Sequence, residues 1–321
     1  MDWAALLQSA RGAAGFVQIA LASATPLALA ALGGLYSERS GVANIALEGK
    51  MLFGSLCAVL GTFWSGDPWI GCLLAVAGGV LLALLHFVNC ELLDADHVIS
   101  GAAINILSLG ITGFLVFQVF ASKSSLQVAT LPTLDLSAIA ALPVAGPLID
   151  LLLTGMVPLF PLALALAFAT RWLLRSTPFG LRVRAAGEDP AVAAARGVDV
   201  AGVRLVCLVA CGALAGLAGA QLAVGEIGFF TEKMSAGRGF IALAALIFGR
   251  WRPLPVLTAC LFFGFADAAA VRLKLQWQLL PDELALTVPF VLTLAVLIVS
   301  RAGSGMPAML GKRREEIGMR L

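Results

Sequence analysis

The chain has 321 residues, of which 60% are hydrophobic and only 12% are charged, and its mean hydropathy is +0.97. Soluble domains carry about 25% charged residues, so this composition excludes an ordinary soluble fold and predicts a polytopic membrane protein. The formal net charge of +2 gives no case for a nucleic-acid partner.

Apolar stretches predict an all-α fold, a polytopic helical bundle of about nine membrane spans that forms a single domain over residues 1–321. The first span contains Pro26, which membrane helices tolerate as a kink. The residues before it do not have a signal-peptide pattern, so we expect this span to be its own insertion signal. The predicted spans are residues 13–35, 44–63, 69–90, 98–120, 151–174, 205–224, 239–249, 254–271 and 284–300.

Residues 38–49 read ERSGVANIALEG and place polar groups at the start of the second span. A carboxylate such as Glu48 is costly in hydrocarbon, so we expect it to face a bundle interior, a cavity or a partner. Gly41 and Gly49 allow a backbone bend or the close approach of another helix. A simpler interpretation is a helix start, with Asn44 as N-cap and Glu48 in the first turns.

The distribution of Lys and Arg predicts which loops face the cytoplasm. Residues 171–204 contain six arginines, whereas residues 122–148 contain a single basic residue, Lys123. The arginine-rich loop and the basic C-terminal tail are therefore predicted to be cytoplasmic. Counting back through alternating spans places the turn at 38–41 inside and the N-terminus outside.

A short internal sequence repeat indicates that the two halves of the bundle are related. Ile-Ala-Leu at 45–47 is followed by Phe-Gly at 53–54, and Ile-Ala-Leu at 241–243 is followed by Phe-Gly at 248–249. In the counted topology these stretches cross the membrane in opposite directions. That relation fits an inverted repeat of spans 1–4 and spans 6–9, and such repeats place the substrate path between the halves.

The loop at 175–204 contains the signals of one short helix. Pro190 suits a first helical turn with Glu188 or Asp189 as its cap, and Gly197 suits the C-terminal end. A helix too short to span the membrane is expected to be a docking element for a soluble partner. Alternatively, the loop is a connector whose arginines only fix the topology.

Catalytic motifs are missing from the sequence. It has no P-loop, no nucleophile elbow and no HExxH pair, and Cys207 and Cys211 have no nearby residue to complete a metal site. We therefore predict neither an enzyme nor a cofactor. An ion- or proton-coupled secondary transporter of small polar solutes is an alternative, because an intramembrane acid such as Glu48 could carry protons.

Two stretches near the last spans are also polar. Residues 229–240 read FFTEKMSAGRGF, which suits an outer gate or receptor contact, or a solvated loop that dips back into the protein. Asp267 lies inside the eighth span and needs a partner, for which Arg272 or water is a candidate.

Four stretches in order resemble one family of proteins. They read ERSGVANIALEG, TPFGLRVRAAGEDPAVAAARG, FFTEKMSAGRGFIALAALIFGRWRP and LFFGFADA. Together they resemble the membrane permease subunits of bacterial ABC importers, in the nucleoside and simple-sugar branch of the branched-chain amino acid and ribose permeases. The resemblance covers about residues 32–300 and implies a multi-pass protein of the bacterial inner membrane that does not itself hydrolyse ATP.

The resemblance also implies partners. Two permease subunits, often two different chains, would form the pathway, and a periplasmic or lipoprotein binding protein would deliver the substrate. Cytoplasmic ATPase subunits would dock on the loop helix. The residues expected to couple to the ATPase are Glu188, Asp189, Pro190, Ala194, Arg196 and Gly197.

Polar residues at membrane depth predict where a nucleoside would pass. Asn44 and Glu48 are four residues apart and would share a helix face, and Asn105 is polar at similar depth. Amides and a carboxylate suit hydroxyls and base edges, while Phe114 or Phe117 could stack on the base. These five residues are the predicted pathway.

Two departures from the family pattern bear on this prediction. Ala46 stands where the family usually has Gly, and Lys50 is an unusual charge just after Gly49. Lys50 could pair with Glu48 or another neighbour, or extend toward water. In the structural alternative Asn44 caps the second span, and Glu48 pairs with Lys50 or an arginine.

Overall fold

The computed structural model describes residues 3–135, 154–276, 305–313 and 315–317, together with positions 287 and 291. Its regular structure is helical. The helices are α1 (Trp3–Arg39), α2 (Leu47–Ser65), α3 (Pro68–Phe87), α4 (His97–Phe120), α5 (Leu159–Ser176), α6 (Pro178–Glu188), α7 (Pro190–Ala195), α8 (Val200–Ala220), α9 (Arg238–Phe248) and α10 (Pro253–Gln276). π-helical turns at Val88–Leu92 and Gln221–Ile227 extend α3 and α8, and Glu315–Ile317 is a 3-10 turn.

Six of the described helices are long and apolar enough to cross a membrane. They are Ala14–Arg39, Pro68–Leu92, His97–Phe120, Leu159–Ser176, Val200–Ile227 and Pro253–Arg272. Helix α9 is apolar but shorter, and α2 has 19 residues, mostly buried, with Glu48 and Lys50 near its start. The prediction of an all-helical protein with several membrane spans is thus confirmed. The predicted span at 284–300 lies outside the described residues.

Small residues bring α3 and α8 into close contact. A Cβ added to Gly79 of α3 would meet the backbone of Gly212 and Gly216 in α8. Small residues let the backbones of two membrane helices approach closely, and the glycines at these three positions therefore permit the contact between α3 and α8.

Helices α1 and α10 make a similar close approach. A Cβ added to Gly264 of α10 would meet the carbonyl of Ala20 and the side chain of Ala24 in α1. Helix α1 also packs against α8 and α9, and α2 packs against α3, α8 and α4. The buried core therefore lies between α1, α2, α8 and α9, beneath the more peripheral α4 and α5.

The segment before α8 forms two short helices, where the sequence predicted one. Helix α6 begins as α7 does, with a capping residue followed by proline: Thr177 Oγ1 accepts from Gly180 N at 3.1 Å, and Pro178 occupies the first turn. The prediction missed α6 because it read only the second of these two start signals. Helix α6 packs against α1, with Gly187 close to Arg39 O at the C-terminal end of α1, and α7 follows α6 directly. We call this the α6–α7 end of the molecule.

The C-terminal segment 305–313 crosses the α6–α7 end. Met309 N donates to Gly187 O at 3.0 Å, and Gly311 N donates to Gly41 O at 3.0 Å. This stretch therefore joins the end of α6 to the chain that leaves α1.

The opposite end of the molecule is closed by two stretches that pair with each other. Residues 124–131 run antiparallel to residues 224–231, with hydrogen bonds from Ser125 N to Phe230 O at 2.9 Å and from Val128 N to Gly228 O at 2.7 Å. This pairing holds the chain after α4 against the chain after α8.

Candidate functional site

The site is built on an irregular segment, residues 40–46, which connects α1 to α2. Helix α2 begins at Leu47, three residues later than the predicted start at Asn44. Gly41 has φ of +96°, a backbone conformation that glycine adopts without strain. An irregular backbone inside a membrane protein is tolerated only where protein groups or water satisfy its polar atoms.

Side chains from four different helices supply hydrogen bonds to this segment. Arg204 Nε of α8 donates to Ser40 O at 3.1 Å, and Asn105 Nδ2 of α4 donates to Ile45 O at 3.0 Å. His86 Nε2 of α3 lies 3.1 Å from Ala43 O, and Ser37 Oγ of α1 donates to Val42 O. Packing partners distant in sequence have thus replaced the helical hydrogen bonds that a helix start at Asn44 would have used.

Asn44 points away from Glu48 into a separate buried cluster. Its Oδ1 accepts from Lys50 Nζ at 2.9 Å, and its Nδ2 donates to Cys211 Sγ at 3.0 Å. Asn44 and Lys50 are both completely buried. Two expectations are therefore wrong: Asn44 does not cap α2, whose N-cap is Ala46 without a side-chain bond, and it shares no helix face with Glu48. Lys50 binds a neighbour, as one alternative expected, but that neighbour is Asn44.

Arg204 anchors the irregular segment from the side of α8. Its guanidinium forms an ion pair with Glu91, with Nη1 and Oε1 2.6 Å apart, and both side chains are almost completely buried. The same guanidinium binds Ser40 O. Because breaking a buried pair leaves an uncompensated charge, this arrangement fixes the segment firmly to α3 and α8.

The carboxylate of Glu48 caps the N-terminus of α9. Oε1 accepts from Ser235 Oγ at 2.6 Å and from Gly237 N at 2.8 Å, and Oε2 accepts from Gly239 N at 2.7 Å. A negative group at a helix N-terminus meets unpaired N–H groups and the positive end of the helix dipole. A Cβ on Gly239 would collide with the backbone of Glu48, so the glycine is what lets α9 approach.

The contacts of Glu48 define the path of residues 229–240. The chain leaves the paired stretch at Thr231 and returns into the protein, where Ser235 and Gly237 reach Glu48. This path matches the alternative in which the loop dips back into the protein.

A cavity of about 340 Å³ opens beside Glu48, between α2, α4 and residues 233–240. Asn105 lies on its wall and binds Gly49 N through Oδ1 at 2.8 Å. Phe240, from the first turn of α9, also lines the cavity and is 46% exposed. Sequence reasoning missed Phe240, although its place in the FFTEKMSAGRGF stretch was the available signal.

Of the predicted pathway residues, Glu48 and Asn105 meet at the cavity and the other three do not. Phe114 and Phe117 are 66% and 61% exposed on α4, outside the cavity lining. Phe117 nevertheless shares a helix face with Ile106, which lines the cavity, and lies about 16 Å further along α4.

That face of α4 is open with respect to the described part of the chain. There, a Cβ on Gly110 would meet nothing within 4 Å, and one on Gly113 would meet only Glu232. The open strip runs from the cavity at Ile106 toward Phe117, along a helix that is mostly exposed.

The predicted coupling residues lie together at the α6–α7 end. Asp189 Oδ1 caps α7 by accepting from Val192 N at 3.0 Å, and Gly197 follows α7 with φ of +82°. Both features confirm the local prediction for this helix. Glu188, Asp189, Ala194, Arg196 and Gly197 are exposed, whereas Pro190 is buried.

The charge inside α10 has a different partner from the one proposed. Arg238 Nη2, at the start of α9, lies 3.8 Å from Asp267 Oδ2. Arg272 instead lies over the ring of Phe16, 5.5 Å from its centroid. Of the two candidates, Arg272 is thus not the partner, because the packing of α9 against α10 places Arg238 beside Asp267.

Comparison with known proteins identifies what the chain is similar to. The family model described as "Branched-chain amino acid transport system / permease component" matches residues 16–297. The guanosine ABC transporter permease protein NupQ of Bacillus subtilis is 37% identical over 314 residues, which cover 92% of this chain and 97% of that protein. The nucleoside ABC transporter permease protein NupC of Lactococcus lactis is 33% identical and covers 85% of this chain and 88% of its own length.

A putative glucose ABC transporter permease of Haloferax volcanii is 34% identical over 261 residues, 81% of this chain and 78% of that protein. No solved structure matches the chain.

Proposed function

The chain belongs to the family of permease components of branched-chain amino acid transport systems, and from this premise we propose that it is the membrane subunit of an ATP-driven importer for nucleosides or related simple sugars. The similar proteins are named as guanosine, nucleoside and glucose permeases. Their names favour a neutral, hydroxyl-rich solute. The chain supplies no ATP hydrolysis, which belongs to a separate subunit in this class of transporter.

The cavity beside Glu48 is the observation that carries the proposal. Its wall combines an amide, Asn105, with an exposed aromatic ring, Phe240. Asn105 binds Ile45 O and Gly49 N, which leaves one N–H and one lone pair of the amide for a solute. An amide hydrogen-bonds hydroxyls and base edges, and an aromatic ring stacks on a base. The cavity volume falls within the range of small-molecule sites. We assign Asn105 and Phe240 to the substrate path.

Glu48 has a different part in this proposal. Both of its carboxylate oxygens are engaged by α9, so it shapes the cavity by holding Gly237 and Gly239 in place. This use of the carboxylate also weakens the alternative of a proton-coupled transporter, since a proton on Glu48 would compete with the bonds that position α9.

A second permease subunit completes the path in this proposal. The strip of α4 from Ile106 past Gly110 and Gly113 to Phe117 is open, and a facing subunit would turn it into a channel wall. Phe114 and Phe117 would then contact the solute or the partner at the far end of α4. Asn44 does not line the path in this proposal. It supports the path indirectly, by binding Lys50 within the irregular segment.

An inverted repeat of spans, within a total of about nine, is supported by how the helices pack. In this repeat α1, α2 and α3 correspond to α8, α9 and α10. Helix α3 packs on α8, and its counterpart α10 packs on α1. Likewise, α2 packs on α3 and α8, and its counterpart α9 packs on α10 and α1. The close contacts made by glycines show the same correspondence. Gly79 of α3 packs against α8 in one half, and Gly264 of α10 packs against α1 in the other. The substrate cavity lies where the two halves meet, at the start of α2 and α9.

Cytoplasmic ATPase subunits are proposed to bind the exposed surface of α6 and α7, with Glu188, Asp189, Ala194, Arg196 and Gly197 at the contact and Pro190 supporting it from beneath. A periplasmic or lipoprotein binding protein is proposed to deliver the solute at the opposite end.

Uptake by the reconstituted transporter tests this function. The permease, its ATPase, the partner permease and the binding protein are placed in liposomes, and uptake of radiolabelled guanosine and glucose is measured. We expect uptake to require ATP. Uptake driven by a proton or sodium gradient without ATP would overturn the proposal in favour of a secondary transporter.

The variant Phe240→Ala tests the cavity in the same assay. Base–aromatic stacking is worth about 1–3 kcal/mol, so the half-saturating nucleoside concentration should rise about five- to hundredfold. The matched control is Phe168→Ala, which removes a 54% exposed ring from α5, away from the cavity. Equal behaviour of the two variants would remove Phe240 from the path.

A further inference from the structure

A second cavity lies beside α1 and shares no lining residue with the one beside Glu48. It holds about 420 Å³ and is bounded by α1, the π-helical turn Gln221–Ile227, and residues 130–133 and 155–157. The α1 residues on its wall include Ala22 and Thr25, which precede Arg39 by 17 and 14 positions. They lie about 21–26 Å along α1 from the α6–α7 end. The cavity is therefore in the opposite half of the molecule.

The wall of this cavity contains a buried polar atom without a partner. Gln221 is 2% exposed, and its Oε1 accepts no hydrogen bond within the described part of the chain. Its Nε2 lies 3.5 Å from Glu226 Oε1, at the long limit for a hydrogen bond. A buried acceptor left unsatisfied is costly, and the residue that carries it lines a cavity large enough for a solute.

The polar groups around Gln221 define what could bind. The Gln221 carbonyl and the Glu226 carboxylate are hydrogen-bond acceptors, and Thr130 and Thr133 add hydroxyls. An occupant that satisfies these acceptors presents N–H or O–H donors. Apolar lipid chains present none, whereas the amino groups of a nucleobase and the hydroxyls of a sugar present several.

We propose that this cavity is a second solute site within the permease subunit, in which Gln221 Oε1 accepts a hydrogen bond from an N–H or O–H donor of a neutral nucleoside-type solute. The site deepens the proposed function and rests on it. It would hold the solute in the half of the molecule away from the ATPase-facing helices, separately from the cavity at Asn105 and Phe240.

The test compares Gln221→Met with wild type in the complete reconstituted transporter. Methionine keeps the length of the side chain and removes the acceptor. Loss of one hydrogen bond between neutral groups predicts about a two- to tenfold rise in the half-saturating guanosine concentration. The matched control is Gln118→Met, on the exposed surface of α4.

A cysteine at Ala22 provides an independent measurement of occupancy. Ala22 lines the cavity, so guanosine should slow maleimide labelling of an Ala22→Cys transporter, and should do so less when Gln221→Met is also present. Should Gln221→Met fail to assemble, Gly225→Ala replaces it. The added methyl would lie 2.7 Å from Gln221 Oε1 and force the amide aside.

The outcomes separate this site from the function itself. Unchanged uptake in Gln221→Met or Gly225→Ala, with no protection at position 22, would leave a water-filled cavity and overturn the second site while uptake persists. A complete transporter that takes up no nucleoside would instead overturn the proposed function.

Discussion

Single residues around Glu48 show how charge is accommodated in the interior of this bundle. Glu48 satisfies its carboxylate with backbone N–H groups of α9, Arg204 pairs with Glu91, and Lys50 donates to Asn44. Glu48 and Arg204 join segments that are far apart in sequence, and Lys50 is connected to α8 through Asn44, which donates to Cys211. The charges therefore define the relative positions of helices.

Replacing Glu48 by glutamine should weaken that positioning without removing the side chain. The amide has one acceptor oxygen, so it cannot serve Ser235 and Gly237 on one side and Gly239 on the other. Each bond to a charged acceptor is worth about 1.5–3 kcal/mol. Uptake per assembled transporter should fall about tenfold or more.

Glu232→Gln, on an exposed side chain of the same loop, is the control for this change. Uptake assays are normalised to the amount of assembled complex. If less complex forms but each complex transports normally, Glu48 serves folding alone and has no part in shaping the path.

At the scale of elements, local sequence signals correctly predicted those structures that depend only on neighbouring residues. The start of α7 followed from Asp189 and Pro190, because a cap and a first-turn proline need no distant partner. The irregular segment 40–46 could not be predicted in this way. Its hydrogen bonds come from His86, Asn105 and Arg204, and no local pattern announces such partners.

The same distinction applies to the candidate site. The sequence singled out Glu48 and Asn105 because a polar group in a membrane span is costly without a purpose. It could not show that Asn44 turns toward Cys211 or that Phe240 reaches the cavity. Those positions depend on how α8 and α9 pack around α2.

A charge on the exposed surface of α7 should disrupt ATPase docking. Ala194→Asp places a carboxylate where the proposed contact would bury it without a partner, which is costly. The variant should insert and fold, yet retain at least about tenfold less ATPase in co-purification. The control is Ala121→Asp, an exposed left-handed position that aspartate tolerates. Normal retention by Ala194→Asp would exclude this surface of α7 from coupling.

At the scale of the whole molecule, the two ends of the bundle differ in chemistry. Helix α6, with Arg182 and Arg184, and helix α7, which is followed by Arg196, lie at one end of the bundle. The paired stretches 124–131 and 224–231 lie at the other. The positive-inside rule predicts that the first end is cytoplasmic. This orientation also decides which side each cavity opens toward.

Thiol accessibility tests the orientation. Arg196→Cys should react with a membrane-impermeant maleimide only after the inner face is opened, whereas Ser122→Cys should react in intact cells. Both positions are exposed. The neighbouring Ser125 is a poorer reporter, because it is buried and its hydroxyl accepts from Phe230 N. The reverse labelling pattern would contradict the orientation, and with it the inverted repeat.

The hydrogen bonds of the irregular segment also constrain the order in which the protein can mature on the ribosome. Ser40 is synthesised 164 residues before Arg204, the side chain that binds its carbonyl. At about 5–20 residues per second, that delay is roughly 8–33 s. When α1 and α2 have left the ribosome, the turn between them still lacks its anchor from α8, because Arg204 has not yet been synthesised. The hairpin of α1 and α2 therefore lacks its final hydrogen bonds until the second half of the chain has been synthesised. Folding in the membrane is complete only when the later helices have packed against the earlier ones.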